Sequence, residues 1–81
     1  MRQQTMQSLD TFPVGAKGVV EQLDVSDEAF RRVAAFGLIP GNPFSLTRKA
    51  PFGGPLVVAV GATRVLLRRN LAKSIKVRMA G

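Results

Sequence analysis

The chain has 81 residues, 46% hydrophobic and 21% charged, which suits one small globular domain and excludes a disordered chain. It has no cysteine and no histidine, so a disulfide framework, a thiolate metal site and imidazole chemistry are ruled out. The net charge is +7, and all five acids lie within the first 28 positions, where only Arg2 and Lys17 are basic.

Residues 1–8 are polar and patternless, and are expected to be a disordered tail before a single domain over 9–81. No hydrophobic segment follows Arg2, and the longest apolar run, Leu56–Val60, is too short to span a bilayer. A cytoplasmic protein is therefore expected. Leu9 and Phe12 are placed to anchor the start of the domain, and Pro13 and Gly15 mark a turn into a strand over Lys17–Leu23.

The spacing predicts a helix over 27–36. Ser26 is the N-cap, and Asp27 and Glu28 put negative charge at the positive end of the helix dipole. Val25 and Phe30 stand at the positions of a hydrophobic staple, and Ala29, Phe30, Val33 and Phe36 form the expected buried stripe. Gly37 stops the helix by taking the left-handed conformation, with Leu38 placed to touch Val33. Ile39-Pro40-Gly41-Asn42 then reads as a type II turn, Pro40 fixing its first central residue and Gly41 supplying positive φ at the second.

Residues 44–49 alternate as a strand with Phe44 and Leu46 on one face, and 50–55 is a loop by its prolines and glycines. Leu56–Val60, apolar on both faces, reads as a central strand. Gly61-Ala62 turns the chain into a strand over 63–68 whose inward face carries Val65 and Leu67. A turn or single helical turn over 70–74 leads to a last strand, Ile75–Met79. About five short antiparallel strands, with one helix after the first, make a mainly β fold of small-barrel type. Periodicity alone does not choose between SH3-like and OB-like barrels.

No catalytic constellation stands out. Gly15-Ala16-Lys17-Gly18 lacks the spacing of a phosphate-binding loop, and Gly53-Gly54, set between prolines, is hairpin geometry. Without histidine, Ser and Thr lack the usual relay for nucleophilic attack. Asp24, Asp27 and Glu28 serve the helix start. They offer neither a paired acid–base site nor a metal site, so no catalysis, cofactor or metal is assigned. Nucleic-acid binding is the rival to a protein-interaction role, because Arg64, Arg68, Arg69, Lys73, Lys76 and Arg78 suit a basic surface for phosphates. Only Phe52, in the loop, is left as an aromatic platform for bases, with Phe30, Phe36 and Phe44 wanted in the core.

Three stretches share a pattern in order. Arg32-Val33-Ala34-Ala35-Phe36-Gly37-Leu38-Ile39-Pro40-Gly41 resembles the helix and turn of the FeoA family of bacterial ferrous-iron transport proteins. Arg48-Lys49-Ala50-Pro51-Phe52-Gly53-Gly54-Pro55 is similar to that family's loop, and Val65 through Val77 to its closing stretch with a Leu-Arg pair, an Ala and Ile-x-Val. Phe36 stands where Leu is usual, and Leu71 where an acid is common before the Ala. The resemblance implies an SH3-like barrel and a cytosolic accessory role, with the cytoplasmic GTPase-bearing region of a FeoB-family transporter as partner. Contact with the membrane would then be through that partner only. Similar barrels also form the C-terminal domains of iron-dependent repressors. The family adds no metal ligands to these residues. The expected partner surface is Arg32, Pro51, Phe52, Gly53, Arg68 and Arg69, with Gly37, Pro40 and Gly41 as structural turns. Phe52 is either an interface anchor or a cap on the barrel end. Arg32 either meets a partner's acid or packs its stem across the barrel.

Overall fold

The computed structural model describes residues 6–80. The described chain runs β1 (Gln7–Ser8), a 3-10 turn (Leu9–Thr11), β2 (Lys17–Leu23), α1 (Asp27–Ala34), β3 (Pro43–Lys49), β4 (Leu56–Val60), β5 (Thr63–Leu67), α2 (Arg69–Lys73) and β6 (Ile75–Met79). The strands pair antiparallel in one sheet, in the order β1-β6-β2-β3-β4-β5. This is the small SH3-like antiparallel fold expected, as an open sheet whose outer strands β1 and β5 do not pair. Register shifts at Val20/Gln22 and at Leu46/Arg48 mark bulges, which bend a strand and let one sheet wrap its own core.

Among the described residues there are six strands where about five were expected, because Gln7 and Ser8 pair with Val77 and Lys76. These two residues, read above as the end of a tail, belong to the sheet, while residues 1–5 lie outside the described part of the chain. Leu9 and Phe12 follow immediately and are fully buried, which ties this segment down.

Phe12 and Phe44 meet with ring centroids 5.2 Å apart and planes tilted by 51°. Both rings press on Gly18. A Cβ there would fall 2.7 Å from the Arg78 carbonyl oxygen, 2.7 Å from Phe12 Cζ and 2.8 Å from Phe44 Cζ. Glycine is therefore required at this position by space alone. The rest of the core comes from alternate residues of the sheet, among them Val20, Leu46, Leu56, Val58, Leu67, Ile75 and Val77.

The helix starts as its cap predicts, with the Ala29 amide donating to Ser26 Oγ at 3.2 Å. It ends earlier than expected, at Ala34. Gly37 N–H donates to the Ala34 carbonyl at 2.9 Å and Leu38 N–H to the Val33 carbonyl at 3.1 Å, with Gly37 at φ +98°. That pair of bonds is a Schellman closure, and it carries Leu38 into the core with Val33. It also corrects the expected stripe. Only Val33 of α1 is buried, while Phe30 is 38% exposed and Phe36 50% exposed. Phe36 lies past the last helical residue, where helical spacing no longer sets its direction. The type II turn follows as predicted: Asn42 N–H donates to the Ile39 carbonyl at 3.1 Å, and Gly41 has φ +92°. Gly41 N–H donates to Val20 O at 2.7 Å and Asn42 O accepts from Val20 N–H at 3.0 Å, which fixes the turn to β2.

Candidate interaction surface

Two features remain once the core is accounted for. The first is a groove of about 760 Å³ lined by residues of α1, the edge strand β5 and α2. Arg32 and Phe36 line it from the helix side, Leu66 from β5, Arg68 from the N-cap of α2 and Leu71 from α2 itself. Its floor is Val33, Val65 and Leu67, all buried core residues. Leu66 is 68% exposed, as the alternation of β5 requires once Val65 and Leu67 point inward. The groove therefore has an apolar floor and a polar lining that includes two arginines and one acid, Asp24.

The second feature is the loop between β3 and β4. Arg69, at the start of α2, donates from Nε to the Gly54 carbonyl and from Nη2 to the Ala50 carbonyl, both at 2.9 Å. A planar guanidinium reaching two carbonyls holds both sides of the loop at once. Two backbone bonds close it further, Ala50 N–H to Pro55 O at 2.9 Å and Gly54 N–H to Pro51 O at 3.1 Å. At its tip Phe52 is fully exposed, at 103%, with φ +58°. A non-glycine residue in the left-handed region is uncommon, and a ring with no neighbour cannot be a cap on the barrel end. That alternative is excluded.

The expected partner-surface residues thus fall into distinct structural roles. Pro51, Phe52 and Gly53 form the exposed loop tip. Arg32 and Arg68 line the groove, and both are exposed. Arg69, read above as facing a partner, is instead half-buried and turned inward to the loop carbonyls. Loop and groove adjoin, because Arg68 ends the groove and Arg69 holds the loop. Gly37, Pro40 and Gly41 build the turn after α1, and Asn42 Nδ2 donates to the Gly37 carbonyl at 2.8 Å to brace it.

Sequence reasoning missed Phe36 and Leu66 as surface residues. For Leu66 the signal was available: it sits between two inward residues of an alternating strand. For Phe36 it was not, since its exposure depends on where the helix stops. The basic surface is less continuous than a row of cations suggests. Arg78 is ion-paired with Glu21, and Lys76 Nζ reaches Ser8 Oγ at 3.5 Å and the Lys73 carbonyl at 3.4 Å. Among the described residues Arg32, Arg64 and Arg68 have no carboxylate partner. No three Asp or Glu side chains among the described residues gather as a metal-ligand set, and no described helix is long and apolar enough to cross a membrane.

Comparison with known proteins agrees with this architecture. No curated protein sequence matches the chain. Among solved structures, FeoA from Stenotrophomonas maltophilia, described as a procaryotic SH3 domain protein complexed with zinc, is 33% identical over 88% of each chain, with a TM-score of 0.73. Iron(II) transport protein A from Clostridium thermocellum is 28% identical with a TM-score of 0.85, covering 93% of this chain. The chain spans only 46% of that protein's length. A manganese-dependent transcriptional repressor shares the fold at 21% identity, with a TM-score of 0.85 over 45% of its own length. A family model described as the FeoA domain matches residues 7–79, from the first strand of the sheet to the last, and the chain belongs to the FeoA family.

Proposed function

We propose that the chain is a non-enzymatic, cytosolic accessory protein of ferrous-iron transport. In this reading it docks on the cytoplasmic GTPase-bearing region of a FeoB-family transporter and reaches the membrane only through that partner. The observation that carries it is the FeoA domain itself, which takes in residues 7–79. The surface supports a docking role: Phe52 stands free on a loop whose backbone is already held, and Arg32 and Arg68 are exposed without acid partners. A preset loop loses little ordering entropy on association, so an aromatic at its tip is well placed as an anchor. Pro51, Phe52, Gly53, Arg32 and Arg68 are the contact residues in this reading, and Arg69 acts by holding the loop.

The test is a titration of the full chain against the purified GTPase-bearing region of the transporter. Saturable one-to-one binding, weakened by Phe52→Ala, is expected. No binding to that region would overturn the reading, above all if DNA or RNA bound at physiological salt and was lost with Arg68→Glu. Nucleic-acid affinity resting on phosphate contacts should instead be weak and fall steeply with salt.

A further inference from the structure

We infer that the open edge of β5, together with the facing side of α1, is a β-augmentation site that takes an extended segment of alternating acidic and apolar residues as an additional strand of the sheet. The inference rests on the docking role proposed above and names the chemistry of what docks.

The backbone comes first. β5 is the outermost strand, paired on one side with β4 from Leu56↔Leu67 to Val60↔Thr63 and unpaired on the other. The two-residue turn Gly61-Ala62 closes at the Val60–Thr63 pair, which makes that pair a hydrogen-bonded one. Antiparallel pairs alternate, so Thr63, Val65 and Leu67 bond to β4, while the N–H and C=O of Arg64 and Leu66 point to the open edge. Among the described residues no turn or loop hydrogen bond uses them. The opposite edge of the sheet is different, because β1 is only two residues long and offers little to pair with.

The side chains then choose the occupant. A strand laid along β5 sends alternate residues into the groove, towards Phe36 and Leu71, which favours apolar side chains, while its other residues lie on the outer face beside Arg64, Leu66 and Arg68. Carboxylates at those outer-face positions would meet Arg64 and Arg68, two exposed cations with no ion-pair partner among the described residues. Charge complementarity of this kind sets register and suppresses wrong partners. It also argues against a second copy of the chain. Pairing β5 with β5 of another molecule would bring Arg64 of each strand close to Arg68, just past the end of the other, and like charges across strands are destabilising. A groove with few aromatic faces is likewise poor for stacked bases.

The test is amide NMR of the full chain titrated with the synthetic peptide acetyl-Gly-Glu-Val-Asp-Val-Glu-Leu-Gly-amide. Controls are the same peptide with lysine for each acid, the same peptide with a central proline, and a single-stranded DNA oligonucleotide. Saturable shifts confined to residues 64–68 and the end of α1 are expected, with neither peptide control binding. Arg68→Glu should weaken binding at least tenfold. Leu66→Pro should abolish it, since proline removes an edge donor without touching the ladder to β4. Arg68→Glu alone decides the matter if Leu66→Pro does not fold. The inference is overturned by no saturation up to about 1 mM peptide, by equal binding of the lysine peptide, by shifts elsewhere on the molecule, or by the oligonucleotide occupying the same amides in place of the peptide. A parallel titration with the transporter's GTPase-bearing region separates the two readings. Binding of that region unchanged in Arg68→Glu, with no peptide binding, overturns the augmentation and leaves the docking role standing. Peptide binding without binding of that region overturns the proposed partner and leaves the augmentation standing.

Discussion

The five phenylalanines divide the molecule in two. Phe12 and Phe44 lie at one end of the core, buried and packed on each other over Gly18, where no spare space remains. Phe30, Phe36 and Phe52 lie around α1 and the β3–β4 loop, all more than a third exposed. A chain this small buries only about 60% of the surface of its unfolded form, so large apolar side chains left outside are a notable omission from its core. The difference between the two regions is one of constraint. In the first, neighbours press on every ring. In the second, backbone turns and one arginine hold the frame, and the side chains project from it.

The strongest test of this division is Gly18→Val. The added side chain must collide with the Arg78 carbonyl and both buried rings, all under 3 Å from its Cβ. We expect a loss of roughly 3 kcal/mol or more, a large share of the ~5–15 kcal/mol a small domain commonly has. Urea melts check it, and an unchanged midpoint would mean that the tight region is not tight.

Next is Gly37→Val, at the closure of α1. Here the strain is in the backbone, since φ is +98°, and a Cβ would also come within 3.0 Å of Val60 Cγ1. About 2 kcal/mol of destabilisation is expected, read as a lower melting temperature. A loss as large as that of Gly18→Val would show that α1 is as tightly packed as the rings.

How much of this was legible in the sequence follows the same division. The strands, the Ser26 cap, the Gly37 stop and the Pro40-Gly41 turn were readable because each is decided within a few residues. The FeoA resemblance rested on those same local marks. The exposure of Phe30 and Phe36 was not readable, because a helix that buries Val33 alone looks in sequence like one that buries a full stripe. The role of Arg69 was hidden for another reason: its two acceptors lie 15 and 19 residues away. The open edge of β5 depends on strand order, which periodicity does not reveal, and the pairing of Gln7 and Ser8 is too short to carry a pattern.

Arg69→Ala sharpens the comparison on the frame itself. Removing two charge-assisted bonds from a half-buried guanidinium should cost on the order of 1 kcal/mol. Its more telling effect should be local, with faster amide exchange at Ala50 and Gly54 while the protection of β2 and β6 is unchanged. Uniformly faster exchange across the sheet would instead make Arg69 part of the global core.

The smallest expected change in stability is that of Phe52→Ala. The ring touches nothing, so the melting temperature should stay where it is. If Phe52 is the anchor proposed here, the same substitution should weaken association with the transporter's GTPase-bearing region by tenfold or more, because a truncated anchor loses contact area that surrounding polar contacts do not replace. Stability and binding are therefore expected to separate completely in this variant, whereas Arg69→Ala should lower both. A titration and a melt on each variant decide the matter. Unchanged binding in Phe52→Ala with reduced binding in Arg68→Glu would move the contact from the loop to the groove. A large fall in melting temperature would place Phe52 with Phe12 and Phe44, and the division of the molecule would fail at its most exposed point.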